Sequence, residues 1–154
     1  MRYHPYGNID PFRAPEAADK VLTEYWDITE SMKIKTFLYY GTCLGIVRDG
    51  GYIIGDNDID VGILGDRIGE LEKMLIKSGF EKKRQHKRNW HFFKYDILLD
   101  IYFGMRNLRF LQPLGEVTYK GRIYNVPHPV GGYLEGLYGD WKIKNPRREW
   151  KGAA

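Results

Sequence analysis

Two aspartates separated by a single residue, Asp58 and Asp60, have the spacing in this 154-residue chain that most directly suggests chemistry. On a β-strand, residues two apart point to the same face and lie roughly 7 Å apart. The residues that alternate with them, Ile59, Val61 and Ile63, are apolar and predict a buried opposite face. Both carboxylates should therefore project together from a strand that is anchored in the core.

A third carboxylate, Asp100, occupies a similar place in a second apolar segment. Ile97, Leu99 and Ile101 alternate along this segment, and Asp100 lies on the opposite face. If the two strands are neighbours, Asp100 comes within about 5 Å of the first pair across the ladder. Three carboxylates this close repel one another unless a cation lies among them.

Magnesium fits such a set, because Mg²⁺ prefers hard oxygen ligands and completes its shell with water and phosphate oxygens. Two such ions, with Mn²⁺ as an acceptable substitute, would hold the attacking and leaving oxygens of a phosphoryl or nucleotidyl transfer. We therefore predict that Asp58, Asp60 and Asp100 are catalytic and bind metal. The alternative is that they are ordinary solvent-facing side chains. Aspartate is disfavoured inside strands, and its recurrence inside two of them favours the functional interpretation.

A Gly41-Thr42 turn lies between a predicted strand and a predicted helix, before the aspartates in the chain. Glycine lets a phosphate approach the backbone, and the free amides at a helix start favour an anion. Arg48 follows two helical turns later and could pair with a phosphate as a planar fork. We predict that all three residues bind substrate. A plain helix N-cap is the alternative for the turn.

Trp90 and His91 precede the third carboxylate within a basic stretch, residues 81–94, that holds six Lys and Arg against Glu81 alone. We predict that they stack on a base or contact a phosphate, with packing on an edge strand as the alternative. A second basic stretch, residues 142–151, holds five Lys and Arg against Glu149 alone. A basic rim around an acidic centre suits a metal and a polyphosphate, although both stretches would also fit solvated loops or tails.

The elements that position these residues follow from the patterning. Apolar residues at helical spacing predict helices over 15–32, 42–48, 66–77 and 130–138. Apolar and aromatic runs predict strands over 34–40, 58–64, 90–94, 97–103, 109–112 and 122–126. An irregular N-terminal arm is expected over 1–13 and a basic tail over 142–154. The mixture predicts one α+β domain in which helices pack against a mixed β-sheet.

Composition narrows the function classes. No apolar run reaches the roughly 18 residues of a membrane span, and the first 13 residues lack the apolar core of a signal peptide, which predicts a cytoplasmic protein. The lone Cys43 excludes an internal disulfide framework and a Cys-rich zinc site. No RNA- or DNA-binding motif accompanies the net charge of +4, so nucleic acid is not a predicted partner.

Taken in order along the chain, these motifs resemble those of a known family. A Gly-Thr turn, an Asp-x-Asp pair and a later carboxylate resemble the nucleotidyltransferase superfamily. Residues 39–64, YYGTCLGIVRDGGYIIGDNDIDVGIL, are similar to the signature of its LicD/fukutin family, and residues 126–141, VPHPVGGYLEGLYGDW, resemble that family's closing motif. The sequence departs from the pattern at Asn57, where the family often has Asp, and in its short length.

The resemblance implies a nucleotidyltransferase-like fold and a transferase that moves a phosphorylated alcohol, such as phosphocholine or ribitol phosphate, from a CDP carrier to a sugar hydroxyl. The implied partners are a nucleotide-activated donor and a glycan or other hydroxyl acceptor. Metal binding is carried over to Asp58, Asp60 and Asp100, the nucleotide-side turn to Gly41-Thr42, and a phosphate contact to Arg48. Two alternatives stay open: transfer of a nucleoside monophosphate from an NTP to a small molecule or protein, and a non-catalytic module that binds an anionic ligand.

Overall fold

The computed structural model describes residues 7–145, so part of the predicted N-terminal arm and most of the predicted basic tail lie outside the described residues. The helices are α1 (Pro15–Ser31), α2 (Tyr40–Asp49), α3 (Ile68–Lys77) and α4 (Val130–Tyr138). The strands are β1 (Thr36–Leu38), β2 (Ile59–Ile63), β3 (Glu81–Gln85), β4 (Asn89–Lys94), β5 (Ile97–Tyr102), β6 (Gly115–Tyr119) and β7 (Arg122–Val126).

Five strands form one mixed sheet in the order β1-β2-β5-β4-β3. β2 and β5 run parallel, whereas the other three neighbouring pairs are antiparallel. The remaining strands, β6 and β7, pair as a separate hairpin. This hairpin lies beside β1, where the Asn125 side chain donates to the Thr36 carbonyl at 3.0 Å. The predicted α+β class, with helices on a mixed sheet, is confirmed.

One face of the large sheet carries the apolar residues that the alternation predicts to be buried. Ile59, Val61 and Ile63 of β2 are fully buried, and so are the alternating apolar residues of β5. They belong to one hydrophobic cluster that includes Leu22 of α1 and Leu71 of α3. Full burial of each such side chain contributes roughly 1.5–3 kcal/mol. The core therefore anchors one face of β2 and β5, and the aspartates lie on the other face.

The helices agree closely with the prediction. Proline at the start of α1 supplies a pre-set φ and needs no hydrogen bond from its nitrogen. α2 begins at Tyr40, two residues earlier than expected, and is followed by Gly50, which has the left-handed φ of 71° common after a helix. No helix within residues 7–145 is both long and apolar enough to cross a bilayer. The cytoplasmic location stays a prediction.

The strands differ from the prediction at three places. The strand expected over 109–112 is wrong: Phe110 has a φ of 72°, which an extended strand does not allow, and the Leu111 amide donates to Leu108 in a turn. β3 is absent from the prediction because its sequence, EKKRQ, has no apolar alternation; it is an exposed edge strand, where charged side chains are common. β6 is also absent from the prediction, and it is held by its pairing with β7.

Candidate functional site

Three aspartates, Asp56, Asp58 and Asp60, form the centre of the site and are called the aspartate cluster below. One carboxylate oxygen from each lies within 4.8 Å of the other two. Asp60 is on β2, Asp58 immediately precedes this strand, and Asp56 is in the loop that joins α2 to β2. Asp56 and Asp60 are buried, whereas Asp58 is half-buried. The cluster offers the hard oxygen ligands that a cation such as Mg²⁺ prefers.

Asp56 is a candidate ligand that the sequence analysis missed. Its position between Gly55 and Asn57 has the composition of a turn. The only sequence feature that indicates a ligand is its spacing of two residues from Asp58. The loop brings Asp56 against the start of α2, where a Cβ on Gly41 would overlap its carboxylate. The space that glycine leaves at position 41 is therefore filled by a carboxylate, and a phosphate contact of Gly41 stays a prediction.

Asp100 lies beside Asp60, as predicted. β2 and β5 are neighbours and pair these two residues in register, which places their backbones about 4.8 Å apart. The Asn89 side chain donates to both Asp100 oxygens, at 3.0 and 3.3 Å, and His91 Nε2 lies 3.5 Å from Oδ2. These contacts orient Asp100 at the border of the aspartate cluster. Its role as a metal ligand stays a prediction.

Burial and repulsion act together on Asp60. Burial, followed by the charges of Asp58, Asp56 and Asp100, raises the pKa of Asp60 well above its ordinary value of 3.8. Its Oδ2 atom is buried and has no hydrogen-bond partner within residues 7–145. A buried carboxylate oxygen without a partner is unfavourable. A divalent cation would offset both the repulsion and the lost solvation, so the residues present fit such an ion.

The raised pKa of Asp60 predicts a pH-dependent stability in the metal-free protein. The folded state binds the Asp60 proton more tightly than the unfolded state, where the pKa is near 3.8. The stabilising contribution is therefore complete below that pH and is lost as pH rises toward the folded pKa. We expect Asp60→Asn to remove this dependence. In EDTA, the Tm of the wild-type protein should therefore fall relative to that of the variant as pH rises from about 4 to about 8. A difference in Tm that is constant over this range would contradict the raised pKa.

Two tyrosines near the cluster are further candidates that the sequence analysis missed. Burial and then the charges of Asp60 and Asp100 raise the pKa of Tyr102, and burial and then the charges of Asp60 and Asp56 raise that of Tyr138. Both phenols therefore remain protonated at neutral pH and keep a proton to donate. The Tyr138 hydroxyl is buried without a hydrogen-bond partner among the described residues. In the sequence, Tyr138 lies in the segment that resembles the family's closing motif, and this pattern indicates a structural role only.

Thr42 connects the start of α2 to β2. Its Oγ1 accepts a hydrogen bond from the Asp60 amide at 2.8 Å, and the residue is almost fully buried. On the other side of the same helical turn, the Tyr40 amide donates to the Tyr133 hydroxyl of α4 at 2.9 Å. Thr42 therefore positions Asp60 through the backbone. Its contact with substrate stays a prediction.

We expect Thr42→Val to lower the free energy of unfolding by roughly 1–3 kcal/mol, because the buried Asp60 amide loses its acceptor. Thr42→Ser keeps the oxygen and serves as the matched control, with most of the stability retained. Urea denaturation of both variants measures the difference. A Thr42→Val protein as stable as the wild type would contradict a stabilising role of this hydroxyl.

Arg48 and Trp90 lie apart from the aspartate cluster. Arg48 is near the C-terminal end of α2, about 10 Å along the helix axis from Gly41, and its guanidinium donates to both carboxylate oxygens of Asp49 at 2.8 Å. Trp90 pairs in register with Ile101 and so lies on the apolar face, with Lys82 Nζ 3.7 Å from its ring centroid. Only His91, of the predicted pair on β4, shares the Asp100 face. The substrate contacts of these residues stay predictions.

The match to known families covers the part of the chain that builds this geometry. Residues 33–104 match the model described as LicD/FKTN/FKRP, nucleotidyltransferase domain. This segment is therefore similar to a LicD-family nucleotidyltransferase domain. It contains Gly41, the aspartate cluster and Asp100, so the family resemblance predicted from the motifs is confirmed.

The chain is also similar to a human protein, ribitol 5-phosphate transferase FKRP, at 24% identity over 78% of this chain and 30% of FKRP. It thus spans less than a third of that relative's length. Lincomycin-bound lincosamide adenylyltransferase LnuA has a TM-score of 0.61 at 15% identity, with 88% of this chain and 96% of LnuA covered. ANT(2")-Ia with adenylyl-2"-tobramycin has a TM-score of 0.59 at 16% identity, covering 87% and 86%. These structures confirm the nucleotidyltransferase fold.

Proposed function

We propose that this domain is a divalent-cation-dependent transferase that moves a phosphorylated alcohol from a CDP-activated donor to a sugar hydroxyl. The observation that carries the proposal is the buried aspartate cluster with Asp100 in register beside it. The similarity to a ribitol 5-phosphate transferase supports a polyol phosphate as the transferred group. The family match adds support, because it covers the segment that contains all four carboxylates.

The aspartate cluster would hold the cation, which is Mg²⁺ in this proposal with Mn²⁺ as a substitute. When bound, such an ion neutralises the charge of the phosphate oxygens, and a second ion can share this work. Asp60 lies at the buried base of the cluster and Asp58 is its more exposed member. The donor's diphosphate therefore approaches from the Asp58 side, where solvent reaches the carboxylates.

In this proposal Asp100 accepts the proton of the acceptor hydroxyl. Asn89 holds both of its oxygens, so the carboxylate keeps one orientation. In the proposed step the acceptor oxygen forms a bond to the phosphorus that bears the alcohol, and the bond from this phosphorus to the bridging oxygen breaks. CMP leaves with the bridging oxygen, and the hydroxyl proton passes to Asp100. Tyr102 keeps its proton and can donate to an oxygen of the transferred group.

A second candidate function is transfer of a nucleoside monophosphate from an NTP to a small molecule or protein. Two solved structures with this fold support it, since one is named an adenylyltransferase and the other holds an adenylylated aminoglycoside. Both functions use the same carboxylates. A non-catalytic module for anionic ligands is harder to reconcile with the cluster, because unneutralised carboxylates repel anions.

The products released from different donors separate these functions. The purified chain is incubated with Mg²⁺, a sugar acceptor mixture and, in turn, CDP-choline, CDP-ribitol or each NTP. Release of CMP from a CDP-linked donor supports the proposal, whereas release of pyrophosphate from an NTP supports nucleotidyl transfer. EDTA should stop either reaction. Consumption of no donor, in protein that binds the cation by calorimetry, would contradict both transferase functions.

A further inference from the structure

A cavity of about 320 Å³ lies beside the aspartate cluster, and the mechanism described above assigns it no ligand. Its walls include three tyrosines and a phenylalanine. Two arginines, Arg88 and Arg106, also line it. The lining contains no carboxylate among the described residues. This composition differs sharply from the acidic site next to it, and it suits a ligand with a negative charge.

Three lining residues connect the cavity to the site. Asn89 is the residue that donates to both oxygens of Asp100. Tyr102 follows Asp100 by two residues on β5, so both side chains share one face of the sheet. Tyr40 immediately precedes Gly41, which packs against Asp56. The cavity therefore adjoins the site, and its lining residue Asn89 contacts Asp100 directly.

The two arginines give this cavity its positive charge. Arg106 is exposed and has no ion-pair partner within residues 7–145. Arg88 uses Nη1 to donate to the Gly104 carbonyl at 3.0 Å, which fixes the guanidinium at the wall. A guanidinium has five N–H donors in a planar fork, so donors remain for a ligand. The planar guanidinium is well suited to bind a phosphate through two parallel hydrogen bonds.

The order of the strands indicates which substrate the cavity receives. β5 and β4 follow β2 in the sheet, so walls on these strands lie one to two strand spacings, about 5–10 Å, from the Asp60 backbone. In the proposed function the donor's diphosphate lies next to the cation that the aspartate cluster would hold. A molecule in the cavity contacts Asn89 and Tyr102, and Asn89 contacts Asp100, the carboxylate that takes the acceptor proton in the proposed function.

We infer that this cavity binds the acceptor, and that the acceptor is a phosphorylated sugar or polyol. Its phosphate contacts Arg88 and Arg106, and one of its hydroxyls reaches Asp100. The assignment to the acceptor rests on the proposed function, because Asp100 has its role only in such a transfer. The aromatic walls supply flat apolar surface for the carbon skeleton, and their hydroxyls supply hydrogen bonds.

Binding measurements on Arg106→Gln test the inference. The protein is titrated in a calorimeter with glycerol 3-phosphate and, separately, with CDP, both in the presence of Mg²⁺. We expect the affinity for glycerol 3-phosphate to fall by roughly tenfold, because one charge-assisted contact is lost, and the affinity for CDP to stay the same. Arg88→Gln should cause a loss of similar size. Arg13→Gln removes the same charge from a side chain that is 81% exposed on the N-terminal arm, and it should change neither affinity.

Several outcomes would overturn the assignment. Weaker CDP binding with unchanged glycerol 3-phosphate binding would place the donor in the cavity. An equal loss in Arg13→Gln would show an effect of net charge alone, and a wild-type protein that binds no glycerol 3-phosphate would remove the inference altogether. Thermal melting verifies that the variants are folded. The proposed function fails separately, since its test is CMP release by the wild-type chain and not the binding of a phosphorylated polyol.

Discussion

Asp60→Asn is expected to reduce donor turnover by at least ~10³-fold in kcat/KM, because residues that merely support metal ligands already account for ~10–100-fold. The substitution keeps the size of the side chain and removes the charge at the buried base of the aspartate cluster. The Asp60 amide that donates to Thr42 is part of the backbone and is unaffected. Release of CMP measures turnover, and a calorimetric titration with Mg²⁺ measures the accompanying loss of cation affinity.

The control for this variant is Asp66→Asn, which makes the same change in charge at an exposed aspartate shortly after β2. Its activity should remain within a factor of about two of the wild-type value, as for most surface substitutions. The metal-free Asp60→Asn protein should melt at or above the wild-type Tm near neutral pH, because burial and repulsion no longer act on a charge at this position. Substantial activity in Asp60→Asn, in protein that binds Mg²⁺ normally, would falsify the central role of this carboxylate.

The faces of the two central strands could be predicted from the sequence, because alternation has a period of two and needs no tertiary information. Ile59 and Val61 point into the core, so Asp60 must point out, and the same reasoning applies to Asp100 on β5. That β2 and β5 are neighbours does not follow from alternation. Their pairing depends on the path of the chain through α3 and the β3–β4 hairpin. From the sequence, this pairing could only be assumed.

The alternation of side chains along β4 allows only one of the two predicted substrate contacts to lie at the site. Trp90 and His91 are consecutive on a strand, so their side chains point to opposite faces. Residue types and the nearby basic stretch suggest both as substrate-binding residues, yet only one of them can lie beside Asp100. The alternation of side chains along the strand is sufficient to make this distinction, whereas chemical composition alone is not.

Asp56 could not be placed from its own segment, because long-range contacts determine the path of the loop. The Asn57 carbonyl accepts a hydrogen bond from the Asn8 side chain, and the Asp56 carboxylate packs against Gly41. These partners are far apart in the sequence. A carboxylate in a Gly-Asp-Asn stretch is typical of an exposed turn, whereas Asp56 is only 3% exposed. The burial that makes it a candidate ligand therefore comes from tertiary packing.

Gly41→Ala is expected to weaken Mg²⁺ binding by about tenfold or more and to reduce donor turnover with it, an effect comparable to removing a partner of a metal ligand. The new Cβ would overlap the Asp56 carboxylate, so this carboxylate must shift from its place in the cluster. Alanine is favoured over glycine within a helix by up to about 1 kcal/mol. This gain opposes the strain, and the loss should therefore be concentrated on the site and not on global stability.

Gly69→Ala is the matched control, because Gly69 is also in a helix, α3, and a Cβ there meets nothing within 4 Å. It should raise Tm slightly and leave cation affinity unchanged. Calorimetric titration with Mg²⁺, thermal melting and CMP release are compared for the two variants. If Gly41→Ala bound Mg²⁺ as tightly as the wild-type protein, Asp56 would not be a ligand, and the cation would depend on Asp58, Asp60 and Asp100, the set predicted from the sequence.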